Sequence, residues 1–160
     1  MFPWRNENKT VNNVQAFSSL KRPNYLAIYR CTEDEEEEKP IIYGAIIQST
    51  ATNKYALVQG RSSGKWSFPK GHANKDESPF DCVCREIAEE IGCDKLPMPY
   101  TSFPLQVGYY YCFKVDNEFE LKPRDTNEVC NSGWFTTEEI TAMPVNVDIN
   151  QFMKRLKQGV

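Results

Sequence analysis

The stretch Gly71–Cys93, GHANKDESPFDCVCREIAEEIGC, constrains this chain more than any other part of it. Glu86, Glu89 and Glu90 fall within five residues. At about 100° per helical residue, Glu86 and Glu90 share one face with Glu89 beside them, while Phe80, Val83, Ile87 and Ile91 gather on the neighbouring face. One side of the expected helix is core and the next is a cluster of carboxylates. Its ends are marked as well. Ser78 suits the N-cap, Pro79 the first helical position, where its missing N–H would have no partner anyway, and Asp81 the third position of a capping box. Gly92 supplies the left-handed residue that stops the helix.

Three like charges this close repel one another, and a helix selected for stability alone would place lysines at i, i+4 between them. A hard divalent cation, Mg²⁺ or Mn²⁺, removes the repulsion and takes oxygen ligands of this kind, together with waters and phosphate oxygens. A solvated acidic face is the simpler account of an isolated glutamate run. The regular spacing around these three favours the cation.

With 160 residues, 40% of them hydrophobic and 12% aromatic, the chain has material for about one domain with its own core. A net charge of −3 rules out a general positive field for nucleic acid, so any RNA contact has to come from local basic patches. The six cysteines contain no CxxC pair, and Cys82 and Cys84 point to different sides of one helix, which fits small buried thiols in a reducing compartment better than a disulfide framework. No basic segment followed by an apolar one opens the chain, and no apolar run approaches a membrane span. An intracellular protein, cytoplasmic or nuclear, with no membrane partner is expected.

Residues 1–24 read as a polar arm or short extension, in which Trp4 could stack on a base or pack on the domain, and 25–160 as the domain itself. Tyr25–Tyr29 is expected to be a strand, followed by an acidic loop at Glu33–Glu38. Further strands are expected at Ile41–Gln48 and Tyr55–Gln59, with turns at Asn53, Gly60 and Gly64. Pro97–Pro104 reads as a proline-punctuated loop. Gln106–Val115, with Tyr109, Tyr110, Tyr111, Cys112 and Phe113 in a row, reads as a strand buried on both faces. Short strands follow at Phe119–Leu121 and Gly133–Phe135, around a loop holding Asn127 and Glu128. Thr136 with Glu139 opens a short helix, and Ile149, Phe152, Met153 and Leu156 form the apolar stripe of a last one. Strands and helices in this order predict an α/β sandwich with a mixed sheet.

Gly71, five residues, Glu77, seven residues, then Arg85-Glu86-Ile87-Ala88-Glu89-Glu90-Ile91-Gly92-Cys93 matches the Nudix box, with the small Cys93 where a larger apolar residue is usual. The span from Ile41 to about Phe152 thus resembles a Nudix hydrolase domain, an α/β/α sandwich. The segments PIIYGAII (Pro40–Ile47), YALVQG (Tyr55–Gly60), WSFPKG (Trp66–Gly71), KDESPFDCVCREIAEEIGCD (Lys75–Asp94) and FELKPRDTNEVCNSGWF (Phe119–Phe135) are similar to those of mRNA-decapping catalytic subunits.

The resemblance implies that Glu86, Glu89 and Glu90 hold one or more divalent ions, Mg²⁺ or Mn²⁺, with a backbone carbonyl from the Gly71 region. It implies that Arg85 pairs with Glu77, that Lys70 faces the phosphates, and that Glu128 acts as general base or further metal ligand. Such a site neutralises phosphoryl oxygens, activates a water and aligns it. Trp66, with Phe68 and Pro69, forms the entrance to this loop, either as packing or as a ligand contact. Lys154, Arg155 and Lys157 are candidate RNA contacts beside their reading as a solvated face. Decapping subunits carry a helical regulatory domain ahead of the Nudix domain; residues 1–24 are expected to be a short arm in its place, which implies a regulatory protein partner. His72 stands where those subunits usually have Lys or Arg, and PKGH is similar to animal diadenosine polyphosphate hydrolases. The expected activity is divalent-metal-dependent hydrolysis of the RNA 5′ cap, releasing a 7-methylguanosine nucleotide. The alternatives are a dinucleoside polyphosphate or diphosphoinositol polyphosphate hydrolase, and a non-catalytic RNA- or nucleotide-binding module, which would have no need of mutually repelling glutamates.

Overall fold

The computed structural model describes residues 41–159. The arm at 1–24, the strand at Tyr25–Tyr29 and the acidic loop at Glu33–Glu38 lie outside the described residues. In chain order the elements are β1 (Ile42–Ser49), β2 (Tyr55–Gly60), β3 (Trp66–Ser67), β4 (Lys70–His72), α1 (Pro79–Ile91), β5 (Thr101–Pro104), β6 (Gly108–Val115), β7 (Val129–Phe135), α2 (Thr137–Thr141) and α3 (Val147–Lys157).

The long apolar strands form the centre of a mixed seven-stranded sheet. β1 runs parallel to β6 in unbroken register from Ile42 opposite Gly108 to Ser49 opposite Val115. It is antiparallel to β4 and, at Gln48 opposite Tyr55, to β2. β2 then pairs with β3 and β7, and β5 closes the far edge on β6. Tyr109 to Phe113 are buried throughout because alternate side chains serve opposite layers. Tyr111 meets Phe80 of α1 edge-on on one face, and Tyr110 meets Phe68 on the other. On that second face lie Ile140 of α2 and Ile149, Phe152 and Met153 of α3, with the Phe152 ring against Tyr55, Phe68 and Phe103. Helix α1 covers one side of the sheet and α2 with α3 the other, the expected α/β/α sandwich. No helix among the described residues is long and apolar enough to cross a membrane.

Three expectations need correction. Part of the loop at Pro97–Pro104 is a strand: Thr101–Pro104 pairs antiparallel with β6. It lies at the sheet edge, where a proline's missing donor costs no ladder bond. Conversely, Phe119–Leu121 forms no strand. Phe119 instead packs edge-on against Trp134 and accepts its indole N–H on the backbone carbonyl, covering β7 through side-chain contacts rather than a ladder. β7 itself begins earlier than expected, at Val129.

α3 is fastened by a group that the sequence pattern does not reveal. Asp148, fully buried in its first turn, accepts hydrogen bonds from Val107 N, Gly108 N and Tyr110 Oη at 2.7, 3.0 and 2.7 Å. With three donors this buried carboxylate is compensated. Cys82 is buried and Cys84 exposed, and all five described cysteines are free thiols.

Candidate active site

Helix α1 starts and stops as its caps dictate. Ser78 Oγ accepts from Asp81 N at 3.1 Å, Pro79 opens the first turn, and Gly92 takes φ 71° with its N–H on Ala88 O. Phase then does what the sequence pattern requires: Val83, Ile87 and Ile91 enter the core, while Glu86 and Glu90 are turned under β4, each only 6% exposed. β4 is held against them by pairing with β1, Gly71 opposite Tyr43. Gly71 has to be glycine, since a β-carbon there would overlap the Glu86 carboxylate. The Lys70 amide donates to Glu90 Oε1 at 3.1 Å.

Arg85 is the electrostatic hinge of the site. Its Nε and Nη2 grip Glu77 in a fork at 2.8 and 3.0 Å, as expected, and Nη2 also donates to the His72 carbonyl at 2.9 Å, fastening the loop to the helix. Nη1 in addition reaches Glu86 Oε1 at 2.9 Å and Glu89 Oε1 at 3.3 Å. The repulsion among the three glutamates is therefore partly relieved from within the protein, a role for Arg85 that the sequence reading missed. The i, i+4 spacing of Arg85 and Glu89 was its only local signal. The Arg85 hydrogen bond is the main cause that holds the Glu77 carboxyl below its usual range.

Glu90 receives no such partner. Burial pushes its carboxyl up to about 8 and that of Glu86 to about 7. The negative charge of Glu128, on the loop before β7, adds a small further rise to both. Glu89 is the accessible member, its side chain 43% exposed.

Two buried, oxygen-only donors raised by desolvation, a third carboxylate at the rim and a glycine cradle fit a hard divalent cation. Among the described residues, no three His, Cys, Asp or Glu side chains stand close enough together to hold a metal ion as they are placed.

The remaining candidates fall elsewhere. Trp66 is half-buried, edge-on to Phe135 at 4.9 Å between centroids, and its backbone is tied to Pro144 and Asn146, so its visible contacts are packing. Lys154, Arg155 and Lys157 sit on α3, across the sheet from α1, and the structure does not bring them to the glutamates. The Arg155 guanidinium lies 5.1 Å over the Phe103 ring and donates to Pro104 O at 3.3 Å, while Lys154 and Lys157 are exposed.

An α/β/α sandwich whose box helix lays glutamates beneath a glycine strand defines a class of hydrolases that act on phosphoanhydrides. The chain belongs to the Nudix family, whose NUDIX domain model matches residues 39–156. It is similar to mRNA-decapping enzyme subunit 2 of Saccharomyces cerevisiae (strain YJM789), 33% identical over 119 residues that make up 70% of this chain and 12% of the relative. An RNA pyrophosphohydrolase of Nitratiruptor sp. is 31% identical over 85 residues, 51% of this chain and 54% of that protein. Among solved structures, a C. elegans Ap4A hydrolase binary complex superposes with a TM-score of 0.60 at 18% identity, covering 74% of this chain and 96% of that one. This last likeness is one of fold.

Proposed function

We propose that this chain is a Mg²⁺- or Mn²⁺-dependent pyrophosphohydrolase that opens the 5′ cap of RNA. The observation that carries the catalytic part is the convergence of buried Glu86 and Glu90 and rim-exposed Glu89 at one glycine strand. Glu86, Glu89, Glu90 and the Gly71 carbonyl would hold the cation, which would neutralise phosphoryl charge and activate the attacking water. Arg85 keeps the loop carrying Gly71 against the helix. Lys70 offers its ammonium group to the phosphates while its amide keeps Glu90 oriented. Glu128, on a loop outside the helix, accepts the proton released by the attacking water.

The cap as substrate is supported by the decapping relatives, and RNA 5′ ends more generally by the RNA pyrophosphohydrolase relative. The matched stretch is 12% of the yeast protein, and a regulatory protein partner that helps to grip RNA belongs to the same proposal. The test incubates the purified protein and Mn²⁺ with cap-labelled RNA, free cap dinucleotide, 5′-triphosphate RNA, diadenosine tetraphosphate and diphosphoinositol pentakisphosphate in parallel. Release of a 7-methylguanosine nucleotide from capped RNA is expected. Preferential turnover of a small polyphosphate would replace the cap reading, and binding without turnover of any of them would replace catalysis itself.

A further inference from the structure

We propose that Arg61 is the positioning residue for Glu128, gripping from the β2–β3 turn the loop that joins it to the helix of the acidic set. The inference rests on the role given to Glu128 above.

The loop is bracketed at both ends. Upstream, it caps the C-terminus of the catalytic helix: Arg124 N and Asp125 N both donate to Glu89 O, at 2.8 and 2.9 Å, and Lys122 N donates to Ile91 O at 2.9 Å. The Arg124 guanidinium adds a fork to Asp94 at 2.9 and 2.8 Å. Free helix-end carbonyls need such donors, so this end of the loop is fixed by the same helix that carries Glu86, Glu89 and Glu90.

Downstream, the register of β2 and β7 slips between Gln59 and Gly60, which face Asn131 and Val129. The bulge brings the β2–β3 turn beside Glu128, and Arg61 N donates to Glu128 O at 2.8 Å. The side chain of the same residue turns back along the loop, and Arg61 Nε donates to Thr126 O at 2.8 Å. One residue thus holds the loop on both sides of Asn127. The grip has a firm base: Gly60 N donates to Lys65 O at 2.9 Å, Gly64 N to Gly60 O at 2.9 Å, and Gln59 Nε2 to Gly64 O at 2.9 Å. Arg61 itself is exposed and bonds Glu128 through the backbone alone, so its contribution is geometric.

The 160-residue chain is tested as wild type, Arg61→Ala, Arg61→Lys, Glu128→Gln and the Arg61→Ala/Glu128→Gln double variant. Amide hydrogen exchange of the metal-free proteins is read over 122–129, and turnover with Mn²⁺ on the best substrate of the panel above. Arg61→Ala keeps the backbone bond to Glu128 and loses the one to Thr126. Exchange across the loop is expected to quicken with the melting temperature nearly unchanged. The turnover number should fall by about 10- to 100-fold, the cost of a misplaced group, at nearly constant KM. Arg61→Lys, which can still reach Thr126 O, should recover part of the loss, and Arg61→Ala should add little in the Glu128→Gln background. Unchanged exchange overturns the inference whatever the substrate. So does wild-type turnover of Arg61→Ala alongside a crippled Glu128→Gln. Losses that multiply in the double variant also overturn it, because Arg61 would then be acting on substrate directly. Wild-type turnover of Glu128→Gln instead removes the role of Glu128, and the inference falls with it.

Discussion

Glu90→Gln should make the metal-free protein more stable, and by an amount that depends on pH. The Glu90 carboxyl is 6% exposed, with burial as the chief cause of its rise. A shift from its ordinary 4.5 to about 8 corresponds to about 5 kcal/mol against the charged form. Glutamine removes the charge and keeps an acceptor for the Lys70 amide. Between about pH 4.5 and pH 8 the folded protein holds a proton that the unfolded chain has released. Wild-type stability therefore falls as pH rises through this window, and the variant escapes the fall. Allowing half of the ceiling for relaxation and water entry, about 2–3 kcal/mol remains at pH 8, or about 5–10 °C in melting temperature. At pH 5 the gain should shrink below about 1 kcal/mol. Calorimetry or circular-dichroism melts in EDTA at pH 5, 6.5 and 8 measure this directly. With saturating Mn²⁺ the gap should narrow or reverse, because the wild type gains more from binding the ion. A variant no more stable than wild type at pH 8, or a gap that does not widen with pH, would refute the claim that desolvation of this carboxylate dominates.

Turnover should require a divalent ion, and Glu89→Gln should nearly abolish it while circular dichroism stays native, since the charge and not the volume is removed; wild-type-like rates would sink the metal reading. Trp66→Ala should lower the melting temperature through loss of its Phe135 contact, by about 2 kcal/mol for a half-buried aromatic, and leave KM alone; a rise in KM without a stability change would make Trp66 a ligand contact. Replacing Lys154, Arg155 and Lys157 together with alanine should weaken hydrolysis of long capped RNA through KM, most at low salt, with roughly one unit of salt slope lost per phosphate contact. Free cap dinucleotide should be cleaved nearly as before. No effect on long RNA would mean that α3, across the sheet from the glutamates, is not an RNA track.

The caps and phase of α1, the Gly71–Glu90 spacing, the buried aromatic strand at Tyr109–Phe113 and the Thr136 capping box were all legible in the chain, because each depends on neighbours within a turn or a pleat. The edge strand at Thr101–Pro104 and the absence of one at Phe119–Leu121 were not, because pairing there is decided by what lies beside the segment: β6 for the first, the Trp134 indole for the second. The same division runs through the site. Sequence alone determined which carboxylates share a helix face. Only the tertiary structure decided that Arg85 is shared among Glu77, Glu86 and Glu89, that Glu90 is buried beyond the reach of that guanidinium, that Arg61 meets Thr126 from 65 positions away, and that the basic turn of α3 lies on the opposite face from the glutamates. Those outcomes rest on strand order and on burial, and both are properties of the whole sheet that no local pattern encodes.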